Sequence, residues 1–210
     1  MITSRAYKQL GLIRRIFTTN CVSAKKQLYI SLVRSQLLYC SQVWRPCLIQ
    51  DIILLERVQR RATKYILNDY TSSYRARLLK LEMLPLMYIF ELNDLLFFIK
   101  SLKNPSPHFD ITKWIHLNTN VTRSSTYFKL AHNHTRCNLS HHFYFNRLPR
   151  LWNSLPPINL KLSTTTLKHQ LNNTFWSIFI SNFDSNNYCT YHVKCPCSRC
   201  NKTPTTSIFN

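Results

Sequence analysis

The residue types best able to do chemistry gather near the end of the chain, where Cys189, His192, Cys195, Cys197 and Cys200 spell C-x2-H-x2-C-x-C-x2-C. Thiolates and imidazoles are zinc ligands, and a structural zinc closes its tetrahedron with four of them. A segment this short has no room for a core, so a bound metal would have to supply its folding free energy. Zinc is the expected cofactor here, held by any four of the five. The ordinary alternative is a cysteine-rich tail that holds no metal.

A second constellation is basic. Arg57, Arg60, Arg61 and Lys64 fall within an arc of roughly 100° on a helical wheel, beside an apolar face of Leu54, Leu55, Val58, Ala62, Tyr65 and Ile66. Cations stacked over two turns repel one another, and a polyanion offsets that cost by releasing its counterions. Glu56 is the acid close enough in sequence to compensate. With Arg14 and Arg15 on the opening helix, the row reads as a phosphate-contacting surface; the alternative is a solvated face. Tyr39, Trp44, Tyr65, Tyr70 and Tyr74 interleave with it and could stack on bases or sugars, although aromatics at helical spacing more often belong to a core.

Catalytic chemistry is harder to find. Two-metal nucleotidyl transfer needs clustered carboxylates. The acids are Asp51, Glu56, Asp69, Glu82, Glu91, Asp94, Asp110 and Asp184, with no two adjacent. Glu91 and Asp94, three apart on a helix, read as an exposed acidic patch. Gly11 is the single glycine, so no glycine-rich phosphate loop can form. Cys137 with His132, His134, His141 and His142 lacks metal-ligand spacing and reads as chance enrichment.

The charge balance points the same way as the basic row. The 210 residues carry 28 Lys+Arg against 8 Asp+Glu, a formal +20. Residues 1–103 hold 17 basic and 6 acidic residues, and residues 104–210 hold 11 and 2. Both halves are strongly positive, which favours an extended basic surface over a tail. It also favours a polyanionic partner, with nucleic acid (RNA or DNA) ahead of an anionic membrane surface or a ribosomal-type role. RNA–DNA hybrid joins these partners only through the resemblance described below. No stretch approaches the roughly 18 to 20 apolar residues of a membrane helix; Leu92 to Ile99 comes nearest and is broken by Asn93 and Asp94. No membrane partner is expected. Arg5, Lys8, Arg14 and Arg15 interrupt any secretory signal, so the expected location is intracellular, nuclear or cytoplasmic, where thiols stay reduced.

The elements that must position these residues are mainly helices. A helix is expected over Arg5 to Phe17. A second, capped by Ser23, should run to about Cys40 with Tyr29, Leu32, Val33, Leu37 and Cys40 as its apolar stripe, and Trp44–Arg45–Pro46 should end it. Asp51 starts the helix Ile52 to Leu67. A short helix covers Tyr74 to Leu81 and a longer one Pro85 to Leu102, with Pro85 in its first turn. Asn104–Pro105–Ser106–Pro107 stops helix and ladder alike. Residues 108–147 read as loops with one short hairpin near Thr126 to Leu130, followed by helices at Phe143 to Trp152 and Thr164 to Phe179.

Several stretches resemble one family. Ala6-Tyr-Lys-Gln-Leu-Gly-Leu-Ile-Arg-Arg15, Leu28-Tyr-Ile-Ser-Leu-Val-Arg34 and Leu38-Tyr-Cys-Ser-Gln-Val-Trp44-Arg-Pro46 are similar to the region that follows the polymerase core in LINE-type (non-LTR) retrotransposon reverse transcriptases. Leu54-Leu-Glu-Arg-Val-Gln-Arg-Arg-Ala-Thr-Lys64 is the most specific match. Arg147-Leu-Pro-Arg-Leu-Trp-Asn-Ser-Leu-Pro156 resembles the family's closing motif, and the Cys/His tail its terminal cluster. The resemblance implies a mainly α fold: a helical thumb-like bundle over 1–104, a loop-rich segment with one or two further helices over 105–185, and a Cys/His tail over 186–210. It also implies that the aromatic-x-Asp-Asp palm and its magnesium ions belong to a portion not represented here, a further expected partner. No catalytic role carries over. The reading is a reverse-transcriptase fragment that binds template–primer or other nucleic acid; a stand-alone host binding protein and a non-functional relic are the alternatives.

Overall fold

A computed structural model describes residues 2–106, 108–118, 129–132, 134–135 and 137–182. The protein is mainly helical: α1 (Ile2–Ile16), α2 (Val22–Leu28), a π-helical stretch (Tyr29–Arg34), α3 (Ser35–Leu38), α4 (Ser41–Trp44), α5 (Ile49–Leu67), α6 (Tyr74–Lys80), α7 (Leu86–Lys103), α8 (Asn138–His142), α9 (Tyr144–Ser154) and α10 (Thr164–Asn182). Among the described residues the only β pairing is two isolated antiparallel bridges, Ser106–Phe109 and Leu117–Leu130. The period-2 stretch at Thr126 lies largely outside the described residues, as does the whole Cys/His tail. No described helix is long and apolar enough to cross a membrane. Two compact units part between Phe90 and Glu91, inside α7 rather than at the Asn104–Pro107 break.

In the first unit, α2, the π-helical stretch and α3 follow one another without a gap. Cys21 occupies the N-cap without a side-chain hydrogen bond, so Ser23 lies inside the helix and does not cap it. The wider π turn changes which residues share a face: Tyr29, Val33 and Leu37, four apart, are buried, whereas Leu32 is 41% exposed. Cys40 departs from the expected stripe as well. It takes a left-handed conformation, φ 49°, is exposed, and separates α3 from the one-turn α4.

With one glycine in the chain, left-handed helix ends fall to other residues. Asn68 closes α5 at φ 51°, and the Asn68 and Asp69 amides donate to the Tyr65 and Lys64 carbonyls. Glu82, at φ 50°, does the same after α6, where the Glu82 and Met83 amides reach the Leu79 and Leu78 carbonyls. Ser73 caps α6 by accepting from the Ala76 amide at 3.2 Å.

In the second unit, Leu167, Leu171, Phe175 and Phe179 form the buried stripe of α10, and Ser163 caps that helix through the Thr166 amide. Phe98 meets Trp152 edge-on at 5.2 Å. The acidic patch expected at Glu91 and Asp94 is not exposed: both side chains are buried. Asp94 is held by Arg147, whose Nε and Nη2 lie 2.9 and 3.2 Å from its two oxygens. A buried carboxylate needs such a partner to remain in an apolar interior.

Candidate nucleic-acid interface

α5 positions the basic row. Its buried side is formed by Ile52, Leu55, Glu56, Val58, Gln59, Ala62, Thr63 and Ile66, an arc turned by roughly 70° from the apolar face the sequence pattern marks. Leu54 and Tyr65 are accordingly half-buried. Three polar side chains lie toward the edge of that arc nearest Arg60, where the pattern gave no warning that they are buried. Gln59 accepts from Tyr29 Oη at 3.0 Å and donates to Tyr74 Oη at 3.1 Å and to the Leu84 carbonyl at 2.9 Å. Glu56 accepts from Tyr74 Oη and from the Leu86 amide, the latter at 3.1 Å. Thr63 accepts from Arg77 Nε at 3.3 Å.

Burial pushes the Glu56 carboxyl up to about 7, against the opposing pull of its hydrogen bonds and of the Arg60 charge. The same cause, burial, raises the Tyr29 and Tyr74 hydroxyls. Glu56 therefore cannot act as the surface counter-charge expected of it. Tyr74 is likewise a core residue rather than an open stacking surface.

The rotation of the buried arc sorts the basic row. Arg57 and Arg61 are exposed and Lys64 and Arg60 are half-buried; Arg60, nearest the buried edge, is turned inward, with its guanidinium 4.8 Å from the ring centroid of the buried Tyr74. Arg57, Arg61 and Lys64 are spaced i, i+4, i+7, which places them along one side of the helix. α1 packs on α5 through two reciprocal pairs: Arg61 lies over Tyr7, 5.0 Å from its centroid, and Arg14 over Tyr65 at 5.9 Å. Lys25 lies over the same Tyr65 ring at 4.9 Å, and Tyr65 Oη donates to the Phe17 carbonyl. These contacts restrict the arginines while leaving Arg14 and Arg61 exposed. Arg15 is exposed beside Arg14 in the last turn of α1. In that turn both arginines also complement the negative end of the helix dipole.

The acids of this unit are too few to neutralise its surface. Up to Phe90 there are 15 Lys+Arg and four acids, Asp51, Glu56, Asp69 and Glu82. Glu56 is buried, and Asp69, held well below the usual carboxylate range by hydrogen bonds from the Ser72 side chain and amide and from Thr71, is a charged carboxylate outnumbered by the cations. Of the remaining aromatics, Tyr39 and Tyr70 are exposed, while Trp44 meets Phe90 edge-on and donates to the Tyr39 carbonyl.

The metal ligands expected at Cys189, His192, Cys195, Cys197 and Cys200 lie outside the described residues. Among the described residues Cys21, Cys40, Cys47 and Cys137 are free thiols, and no group of three His, Cys, Asp or Glu could hold a metal. His141 contacts Thr135 and Arg150, and His132 contacts Asn153; burial and the Arg150 charge lower both imidazoles. No family model, curated protein or solved structure matches the chain.

Proposed function

We propose that the chain is the post-palm piece of a LINE-type reverse transcriptase and that its first unit grips nucleic acid as a thumb does. The observation that carries this reading is the outward row Arg57, Arg61 and Lys64, flanked by Arg14 and Arg15, on a unit whose nearest acid is buried. Such a row binds phosphates and not base edges, so it holds RNA, RNA–DNA hybrid or DNA without reading sequence.

Catalysis and its magnesium belong, on this reading, to the palm, and the Cys/His tail is a small zinc-stabilised appendage. The grip is tested by measuring affinity for an RNA–DNA hybrid as salt is raised. A log–log slope steeper than about −4 is expected, since each neutralised phosphate contributes roughly −0.9; a flat dependence would rule out a phosphate grip. Elemental analysis of the purified chain should find one zinc, lost on substituting Cys197 and Cys200 by Ser.

A further inference from the structure

The second unit carries a group of aromatic rings that its core does not use up. Trp114 and Phe145 lie nearly parallel, with centroids 5.4 Å apart and planes 16° off. Phe143 meets Phe145 edge-on at 5.5 Å, Phe109 lies 6.5 Å from Phe145, and Phe97 leans on Phe109 at 6.0 Å. Rings packed this way are ordinarily buried, yet Trp114 is 58%, Phe143 54% and Phe97 37% exposed. More than half of the Trp114 surface is therefore open to solvent.

The base beneath these rings is fixed. Phe97 on α7 meets Tyr144 edge-on at 5.6 Å. Tyr144 Oη donates to the Asp94 carbonyl at 3.0 Å, and Arg147 joins the Asp94 carboxylate to the His142 carbonyl. Trp114 follows the short 3-10 turn Ile111–Lys113, which Asp110 caps. Open rings held on a rigid base lose little conformational entropy when a flat ligand stacks on them.

Charge decides which ligand. Residues 91–181 carry ten Lys+Arg against three acids. Two of the acids, Glu91 and Asp94, are buried, and the Asp110 carboxylate is engaged by the Thr112 amide and hydroxyl at 3.0 and 2.7 Å. Lys100, His108, Lys113 and His116 are exposed, close in sequence to the open rings. An apolar protein segment would use the rings and gain nothing from the cations. An unpaired nucleic-acid strand uses both, bases on the rings and phosphates on the lysines. We infer that Trp114, Phe143 and Phe97 form a stacking platform for single-stranded nucleic acid, RNA or DNA. The platform rests on the nucleic-acid reading above and adds a second site to it.

The full chain is titrated with oligo-dT, oligo-rU and an abasic strand, each of about 12 nucleotides, and with an RNA–DNA hybrid. The abasic strand keeps every phosphate and removes the stacking partner. Base-bearing strands should bind roughly tenfold tighter than the abasic one, and the tighter of the two names the sugar preferred. Trp114→Ala with Phe143→Ala should abolish the preference and leave hybrid affinity unchanged; both rings are exposed, and a thermal melt checks that the variant folds. Equal binding of base-bearing and abasic strands would overturn the platform while leaving the phosphate grip standing. A preference that survives the double substitution would overturn its assignment to these rings and leave them to a protein partner. Binding to no strand or hybrid would overturn platform and grip together.

Discussion

The Arg147 guanidinium meets the Asp94 carboxylate along two edges, Nε at 2.9 Å and Nη2 at 3.2 Å, with both side chains removed from solvent. The same guanidinium donates from Nη1 to the His142 carbonyl at 2.8 Å and lies over the Tyr144 ring. One arginine thus ties the closing motif on α9 to the middle of α7.

Removing that arginine strands a buried carboxylate. Arg147→Ala should destabilise the second unit by about 3–5 kcal/mol, read as a lowered urea midpoint. Arg147→Lys should recover only part of the loss, because an ammonium cannot span both oxygens. An unchanged midpoint would show that the pair is not buried as described.

Glu56 makes stability depend on pH. Its carboxyl titrates near 4.5 when unperturbed and is pushed up to about 7 in the fold by burial, with Tyr29, Tyr74 and Arg60 as the ionisable groups around it. The folded state therefore holds the proton more tightly. The contribution is complete below the lower value and is lost as pH rises through the upper one. Glu56→Gln keeps an acceptor for the Leu86 amide and removes the titration. The melting temperature of the wild type should fall relative to this variant between about pH 5 and pH 8. Parallel curves would contradict the assignment.

Glu82 adopts φ 50° after α6 at an exposed position. A side chain in the left-handed region costs roughly 1–2 kcal/mol, which glycine avoids. Glu82→Gly should raise stability by up to about 1 kcal/mol after its greater freedom in the unfolded chain is subtracted. Glu82→Val should lower it, since a branched Cβ tolerates that conformation least. Denaturant midpoints of the two variants give the comparison directly.

What the sequence made legible was wherever local chemistry decides. Pro85 and the Asn104–Pro107 break bracket α7, and helical periodicity finds α5. What stayed hidden depends on tertiary partners. Glu56, Gln59 and Thr63 look like surface residues until Tyr29, Tyr74 and Arg77 arrive from other elements to satisfy them. Counting them as polar displaced the inferred buried face of α5 by most of a residue's rotation. Asp94 misled for the same reason, because its partner Arg147 lies far along the chain. The π-helical stretch and the left-handed Cys40 carry no local signal in a chain with one glycine. The basic row itself was legible; its division into an outward set and an inward Arg60 was not.

That division is the most direct handle on the central claim. Arg57→Gln, Arg61→Gln and Lys64→Gln together should weaken binding to an RNA–DNA hybrid and reduce the salt slope by about 3, with a small drop in melting temperature from the lost Arg61–Tyr7 contact. An equal loss of charge at the exposed Lys80, Lys161 and Lys168 should leave the slope nearly unchanged. If the two triple variants lose affinity alike, the chain binds through its overall charge, and α5 is not the surface that grips nucleic acid.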